Sequence, residues 1–238
     1  MKKSIFFFAA FFSAALISCA STKISDNDAY VFSEENGDIL YTFEASDEDS
    51  INDTMAVRIP PKGAGSFGYE NEAYPGALYL DGQNNWIILD KKILDGDGFT
   101  LSIDVNPERW EFWQRIYDIG NGGDCDMWLG LDQTTKALRF SCGDVTCLAP
   151  LPETGKWTTV TTVFGKGRTY LYINGKLSQS VICSLTTARL KETVKGLYIG
   201  KSNWNDPLFK GAVDNLFISG KALSEKEVAG LSKTIHKN

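Results

Sequence analysis

Histidine is almost absent from this chain of 238 residues, since its one histidine, His236, stands in a polar C-terminal tail. A Ser-His-Asp or Cys-His catalytic arrangement requires a histidine inside the fold, and so does a histidine-based metal site. The sequence gives no support to either. Its five cysteines include no Cys-x-x-Cys pair, the spacing typical of zinc-binding loops.

Positive charge and long apolar segments are scarce as well. Lysine and arginine number 24 against 30 aspartate and glutamate residues, which gives a formal net charge of −6. Nucleic acids and anionic bilayer surfaces attract basic proteins, so we expect neither as a partner. Beyond the N terminus, no apolar stretch reaches the roughly 18 residues that can span a bilayer.

The N terminus has the features of an export signal. Lys2 and Lys3 precede an apolar run at residues 5–17 that is too short for a stable membrane-spanning helix. Residues 16–19 read Leu-Ile-Ser-Cys and resemble the bacterial lipobox. This resemblance implies a signal peptide at 1–18 and lipid attachment, such as palmitate, to Cys19. An ordinary cleaved signal peptide followed by an unrelated cysteine is the alternative.

The remaining 220 residues carry a net charge of −8 and divide into two parts. Residues 19–36 are polar and predict a flexible, lipid-anchored tether. Residues 37–235 have the length of one domain, for which we assume a monomer. Ala20 rather than Asp follows the anchor, which by analogy with lipoprotein sorting favours the outer membrane. The tether does not indicate whether the domain faces the periplasm or the exterior.

Short apolar stretches separated by turn residues predict strands over most of the domain. Strand follows strand at this spacing with almost no helix, which predicts an all-β, antiparallel sandwich of two sheets. Ser224 and Glu227 form a capping-box pattern that predicts one short C-terminal helix. The predicted strands are residues 39–43, 77–80, 86–89, 99–105, 157–164 and 169–173.

One hairpin can be assigned a register from the pattern. If residues 132–135 form a four-residue loop, Leu129 lies opposite Leu138, and the apolar pairs share one face. The same register places Cys125 directly opposite Cys142.

Four cysteines remain after Cys19, and an even number in an exported domain favours disulfides. The register therefore predicts a Cys125–Cys142 bond and, by elimination, a Cys147–Cys183 bond. A zinc site built from the same four cysteines is the alternative.

Six segments, in this order, resemble the laminin G-like family of concanavalin A-type jelly rolls. The resemblance covers about residues 38–233 and implies a jelly-roll fold. Such domains bind glycans or proteins, and some are attached to enzymes, so the fold does not settle function. The segments are residues 98–102, 116–120, 155–160, 171–175, 197–202 and 209–218, and the closing Leu-Ser-x-x-Glu turn stands at 223–227.

Catalysis is not expected from the family pattern. Glycosidases of this fold carry Glu-x-Asp-x-x-Glu on one strand, and no segment matches it. We therefore expect a non-catalytic binding module at the cell envelope, with a glycan as ligand. The alternatives are a protein-binding adhesin or envelope-assembly protein and, less favoured, a divergent glycoside hydrolase or lyase.

Aromatic residues are the candidate ligand-binding groups, because a sugar stacks its CH face on an indole while charged neighbours bind its hydroxyls. Trp110 and Trp113 lie in a charge-rich segment, and Trp204 stands among amides on a predicted loop. Trp128 falls opposite Arg139 in the predicted register. For each ring, packing within the domain is the alternative.

The resemblance also implies one structural calcium ion. Residues 211–214 match the family pattern Gly-x-Val-Asp, in which the aspartate, here Asp214, is frequently a ligand. Glu44, after the first predicted strand, is the candidate second ligand.

Overall fold

A computed structural model of the chain describes residues 29–43, the backbone of residues 55–58, and residues 73–235. Two helices in this part are α1 (Thr187–Thr193) and α2 (Glu225–Ile235), and 3-10 turns lie at Glu34–Asn36 and Lys91–Leu94. The described strands are β1 (Ile39–Tyr41), β2 (Met55–Arg58), β3 (Leu78–Asp81), β4 (Trp86–Leu89), β5 (Gly98–Pro107), β6 (Arg115–Gly120), β7 (Asp126–Leu131), β8 (Leu138–Cys142), β9 (Val145–Ala149), β10 (Thr158–Gly165), β11 (Arg168–Ile173), β12 (Lys176–Ile182), β13 (Gly196–Ile199) and β14 (Lys210–Ser219).

The described strands form two antiparallel sheets. Sheet 1 has the order β1-β14-β5-β10-β11-β12, and β3 pairs with the first half of β14, beside the stretch paired with β1. Sheet 2 has the order β2-β4-β13-β6-β7-β8-β9. This two-sheet antiparallel sandwich confirms the predicted fold class. Within the described residues, no helix is long and apolar enough to cross a membrane.

The main core lies between the two sheets and follows from the alternation of side chains along each strand. Phe99, Leu101 and Ile103 of β5 point into it, and Leu129 of β7 and Phe140 of β8 meet them from sheet 2. All five side chains are fully buried. The hydrophobic pattern that predicted the strands therefore also determines which face of each sheet lies inside.

A second apolar cluster lies on the outer face of sheet 1, where α2 packs. Val163 and Phe217 of the sheet contact Val228 and Leu231 of the helix. The spacing of three residues between the two helical positions places both on one face of the helix.

The start of α2 is the predicted capping box. The backbone N–H of Glu227 donates to Ser224 Oγ (3.4 Å), and that of Ser224 donates to Glu227 Oε2 (2.8 Å). Lys221 Nζ lies 2.6 Å from the other carboxylate oxygen of Glu227.

Residues 29–36, assigned to the tether in the sequence analysis, pack against the domain where the structure describes them. Tyr30 is buried, its backbone N–H donates to Thr234 Oγ1 of α2 (3.1 Å), and its hydroxyl donates to Asp38 Oδ2 (2.7 Å). Its ring meets that of Phe217 edge-on. The rest of the predicted tether, together with Cys19, lies outside the described residues.

The predicted register of the β7–β8 hairpin is wrong by two residues. Leu129 lies opposite Phe140, and Met127 lies opposite Cys142. The loop between β7 and β8 is two residues longer than predicted. Asp132 Oδ1 stabilises this longer loop, because it accepts hydrogen bonds from the backbone N–H groups of Thr134 and Thr135 (2.7 and 2.8 Å). Lys136, with φ of 53°, completes the wider turn.

This correction removes the basis for pairing Cys125 with Cys142. Cys125 Sγ instead contacts the carbonyl oxygen of Arg189 at 3.6 Å. Cys147 Sγ lies 3.9 Å from the carbonyl oxygen of Thr169. The four described cysteines are buried thiols in the structure.

The capping box predicts an acid-sensitive contribution to stability. Burial raises the pKa of Glu227, but hydrogen bonds from Lys221 and Ser224 outweigh this effect and lower it to about 2. Because the pKa is lower in the folded state, the stabilisation is present above about pH 4.5 and is lost as the pH falls toward 2. We expect Glu227→Gln to lower the free energy of unfolding by about 1 kcal/mol at pH 6.

Urea unfolding at pH 6 and pH 3 measures this effect. The difference between Glu227→Gln and the unchanged protein is expected to shrink at pH 3. Glu225→Gln, an exposed change in the same helical turn, is the control. An equal effect of both substitutions at pH 6 would contradict the assignment.

Candidate ligand-binding site

The outer face of sheet 2 carries a row of charged and aromatic side chains. Asp118 of β6 lies opposite Trp128 of β7, which lies opposite Ser141 of β8. The alternation that turns Leu129 and Phe140 inward turns these three side chains outward. The pattern thus predicted the face of Trp128 correctly, although the register was wrong.

Trp128 is enclosed between two guanidinium groups. Arg115 Cζ lies 3.5 Å from the ring centroid and Arg139 Cζ lies 4.9 Å from it. Arg139 is paired across the strands with Gly130, not with Trp128 as predicted, and reaches the ring diagonally. Such cation–π contacts stabilise the cluster, but they leave the indole only 5% exposed. Little ring surface is left for a sugar.

The loop at residues 201–208 crosses this face and is fastened to Asp118. Asp118 Oδ2 accepts a hydrogen bond from the backbone N–H of Asn203 (3.0 Å), and its Oδ1 accepts one from Asn203 Nδ2 (2.8 Å). Arg115 lies 3.8 Å from Asp118 and 3.6 Å from Asp206 of the loop. The sequence analysis did not identify this anchor, although a lone aspartate within the apolar strand at 116–119 is a signal for one.

Two predicted ligand residues lie at the rim of this face. Trp204 is on the loop and is 61% exposed. Trp113 has φ of 66°, its Nε1 donates to Gln133 Oε1 (2.9 Å), and its ring lies 6.2 Å from that of Trp128. The structure therefore brings together Trp113, Trp128 and Arg139.

Trp110 is separate from this cluster. Its Nε1 donates to the carbonyl oxygen of Pro152 (2.8 Å), and its ring meets that of Phe209 edge-on. These contacts attach Trp110 to the main core and give it a packing function.

An outward-facing cleft lies on the opposite side of the molecule, on sheet 1 beside α2. We call it the Trp157 cleft. Its volume is about 360 Å³, within the range of roughly 300–1,000 Å³ typical of small-ligand sites. Trp157 immediately precedes β10, and its side chain is 46% exposed. The cleft is lined by Trp157, Thr158, Thr159, Asp104, Asp214, Asn174 and Ser232.

Two carboxylates form the floor of the Trp157 cleft. Asp104 of β5 lies directly opposite Asp214 of β14. Asp104 Oδ1 accepts a hydrogen bond from Thr159 Oγ1 (2.6 Å), and its Oδ2 accepts one from Asn215 Nδ2 (2.8 Å). The same amide nitrogen lies 3.4 Å from Asp214 Oδ2. The strand pairing thus presents carboxylate, amide and hydroxyl groups side by side.

This arrangement does not fit a cation held between the two carboxylates, because the amide donor of Asn215 bridges them. Among the described residues, no group of three or more histidine, cysteine, aspartate or glutamate side chains is placed to hold a metal ion. Glu44, the other predicted calcium ligand, lies outside the described residues. The calcium site remains a prediction.

Two tyrosines extend the aromatic surface from Trp157. The ring of Tyr74 meets Trp157 edge-on at 6.3 Å and stacks on Tyr79 at 5.8 Å. Glu108 lies within 3.5 Å of the Tyr74 hydroxyl and forms an ion pair with Lys210 (3.0 Å). The sequence analysis missed this surface because Trp157 reads as the first residue of a strand, and Tyr74 lies between predicted strands.

The charged row on sheet 2 predicts a pH-dependent stability. Burial raises the pKa of Asp126 to about 6, and Asp118 adds to this effect, while Arg115 and Arg139 oppose it. Because the folded-state pKa is the higher one, the folded protein loses stability as the pH rises from about 4 to 6. We expect Asp126→Asn to raise the free energy of unfolding by about 1–3 kcal/mol at pH 7.

Urea unfolding between pH 4 and pH 7 tests this expectation. The rise in the free energy of unfolding caused by Asp126→Asn is expected to disappear near pH 4. Asp124→Asn, a change at an exposed neighbouring residue, serves as the control. A loss of stability at pH 7 would show instead that the carboxylate of Asp126 is stabilised by the arginines.

Three solved structures share this fold. Domain 4 of AbnA, a GH43 extracellular arabinanase from Geobacillus stearothermophilus, in complex with arabinotriose, is 20% identical with a TM-score of 0.52 over 81% of this chain and 96% of that domain. The CBM40 of the Ruminococcus gnavus IT-sialidase, bound to alpha2,3 sialyllactose, is 15% identical with a TM-score of 0.53 over 64% of this chain and 94% of that module. Trypanosoma rangeli sialidase is 16% identical with a TM-score of 0.52 over 67% of this chain.

The matched part of this chain spans 27% of the sialidase, so that likeness concerns one portion of a larger protein. Because the sequence identities are this low, the similarity to these three structures shows only that the fold is shared. A comparison with curated proteins finds no match. The model of the family Laminin_G_3, described as the concanavalin A-like lectin/glucanases superfamily, matches residues 81–229. With more than half of its length matched by that model, the chain belongs to this laminin G-like family.

Proposed function

We propose that this protein is a non-catalytic glycan-binding module and that its ligand binds in the Trp157 cleft. The observation that carries the proposal is the exposed ring of Trp157 beside a cleft lined by carboxylate, amide and hydroxyl groups. A sugar has an apolar CH face that stacks on an indole and hydroxyls that pair with such polar groups. The glycan ligands of AbnA domain 4 and of the CBM40 support this ligand class.

The charge of the Trp157 cleft favours a neutral glycan. Its described lining contains Asp104 and Asp214 and includes no lysine or arginine. A sugar carboxylate placed there would meet the negative charges of these two side chains at close range. We therefore expect neutral sugars to bind in preference to sialylated or uronic-acid glycans.

Hydrogen bonding at the two carboxylates supports a binding function over hydrolysis. A glycosidase needs one carboxyl group that donates a proton to the leaving oxygen. Both oxygens of Asp104 accept hydrogen bonds, and Asp214 accepts one from the backbone N–H of Asn215 (2.7 Å). In each of these contacts the carboxylate is the acceptor, as a bound sugar hydroxyl also requires.

Attachment to the membrane is part of the proposal and rests on the N-terminal sequence. Cleavage before Cys19 and lipid on that residue would hold the module at the envelope, on the outer membrane. Several acyl chains give a stable anchor, whereas a single chain holds a protein only marginally. The glycan would then be one presented at the cell envelope.

A glycan array probed with residues 24–238 tests the ligand and the site. We expect saturable binding to neutral glycans, weakened at least about tenfold by Trp157→Ala because the stacking surface is lost. Trp113→Ala is the matched control, since it removes a tryptophan from the opposite face. Calcium and a chelator are compared in parallel.

Other outcomes of the array have distinct meanings. Binding that is lost in Trp113→Ala and retained in Trp157→Ala would move the site to sheet 2. No binding by the folded protein would contradict the glycan proposal and favour a protein ligand.

Labelling of cells with radioactive palmitate tests the anchor. The unchanged chain is expected to incorporate label and to sediment with membranes, and Cys19→Ser is expected to lose both properties. Cys125→Ser is the control for loss of a thiol. Equal labelling of Cys19→Ser would contradict lipid attachment at Cys19.

A further inference from the structure

Two cysteines from opposite sheets meet in the main core. Cys142 is the last residue of β8 in sheet 2, and Cys183 directly follows β12 in sheet 1. Their Sγ atoms lie 3.3 Å apart. Both side chains are buried, at 0% and 2% exposure. The contact joins segments that are 41 positions apart in the chain.

The distance between the two sulfurs is short enough for a disulfide to form after a small movement of the side chains. A disulfide has sulfurs about 2.05 Å apart, so each sulfur has to move by less than about 1 Å, which a small side-chain rotation supplies. Cys125 and Cys147 are placed differently, because the sulfur of each is in hydrogen-bond contact with a backbone carbonyl oxygen, at 3.6 and 3.9 Å.

We propose that Cys142 and Cys183 form a disulfide in the exported protein, and that Cys125 and Cys147 remain thiols. This pairing differs from the one expected from the hairpin pattern. It fastens the end of β12 to β8 and thereby connects the two sheets covalently. Disulfides persist in the oxidising compartments that exported proteins enter.

The two thiols are suited to exchange with an oxidant. Hydrogen bonding between the two thiols lowers the pKa of Cys183, which makes its sulfur the better nucleophile of the pair. The Cys183 thiolate attacks the disulfide of a thiol–disulfide oxidoreductase, forms a mixed disulfide and releases one of that protein's thiolates. Cys142 then loses its proton, attacks the Cys183 sulfur and displaces the second. Two electrons and two protons pass to the oxidoreductase, which becomes a dithiol.

Access to the buried pair is provided by the edge of sheet 1. Cys183 follows β12, the last strand of that sheet, whose residues are largely exposed. Opening of an edge strand breaks fewer contacts than opening of a central one, so exchange can occur before the sandwich closes or during local opening.

Peptide mapping of the full chain, exported through its own signal, tests the pairing. Free thiols are alkylated in denaturant without reductant, and the protein is cut with trypsin and with a protease that cleaves before aspartate. Asp144 lies between Cys142 and Cys147, so the second cut separates them. We expect Cys142 linked to Cys183, with Cys125 and Cys147 alkylated. Alkylated Cys142 and Cys183, or any other linkage of either, would overturn the proposal.

Thermal unfolding with and without reductant provides a second test. Reduction is expected to lower the Tm of the unchanged protein by roughly 5–15 °C, because the bond closes a loop of about 40 residues. Cys183→Ser is expected to abolish this sensitivity to reductant. Cys125→Ser, also a buried thiol, is the matched control and is expected to keep it. Sensitivity that persists in Cys183→Ser would overturn the pairing.

Discussion

Burial of the central strand β5 on both of its faces is the constraint on which the rest of this fold depends. All ten of its residues are buried. Its apolar side chains face the main core, and its polar ones face outward, where Thr100 donates to the carbonyl oxygen of Lys221 (2.7 Å) and Ser102 pairs with Thr161 (2.7 Å). Buried polar groups need such partners. The Thr100 bond fastens the segment leading into α2 to the sheet, and the Ser102 bond links β5 to β10. The next outward residue along β5, Asp104, forms part of the floor of the Trp157 cleft.

The two outer faces differ in how much aromatic surface they leave open. On sheet 2, Asp118 holds the loop at 201–208, and the guanidinium groups of Arg115 and Arg139 cover the ring of Trp128. On sheet 1, the ring of Trp157 stays exposed beside polar groups on the open side of the sheet. This difference is the reason for proposing the ligand site on sheet 1, although more of the conspicuous tryptophans lie on sheet 2.

The β7–β8 hairpin shows why a correct pattern led to a wrong register. Side chains alternate with a period of two, so a shift of two residues keeps Leu129 and Phe140 inside and Trp128 outside. The pattern detects a shift of one residue and cannot detect a shift of two. The side chain of Asp132 decides between them by widening the turn, and the cysteine neighbours change with it.

The sequence by itself determined many of the strands, the inward and outward faces, the capped C-terminal helix and the family, because all of these depend on periodicity and local turn chemistry. The capping box of Ser224 and Glu227 is one example, because both of its hydrogen bonds follow from residues three positions apart in the chain. The sequence did not predict the helix α1 or the strands β2, β9 and β12. Only the tertiary structure decided the register of β7 and β8, the meeting of Cys142 with Cys183 and the composition of the Trp157 cleft. These features arise where segments far apart in the chain come together. A local sequence pattern contains no information about the distance between such segments, so it could not predict them.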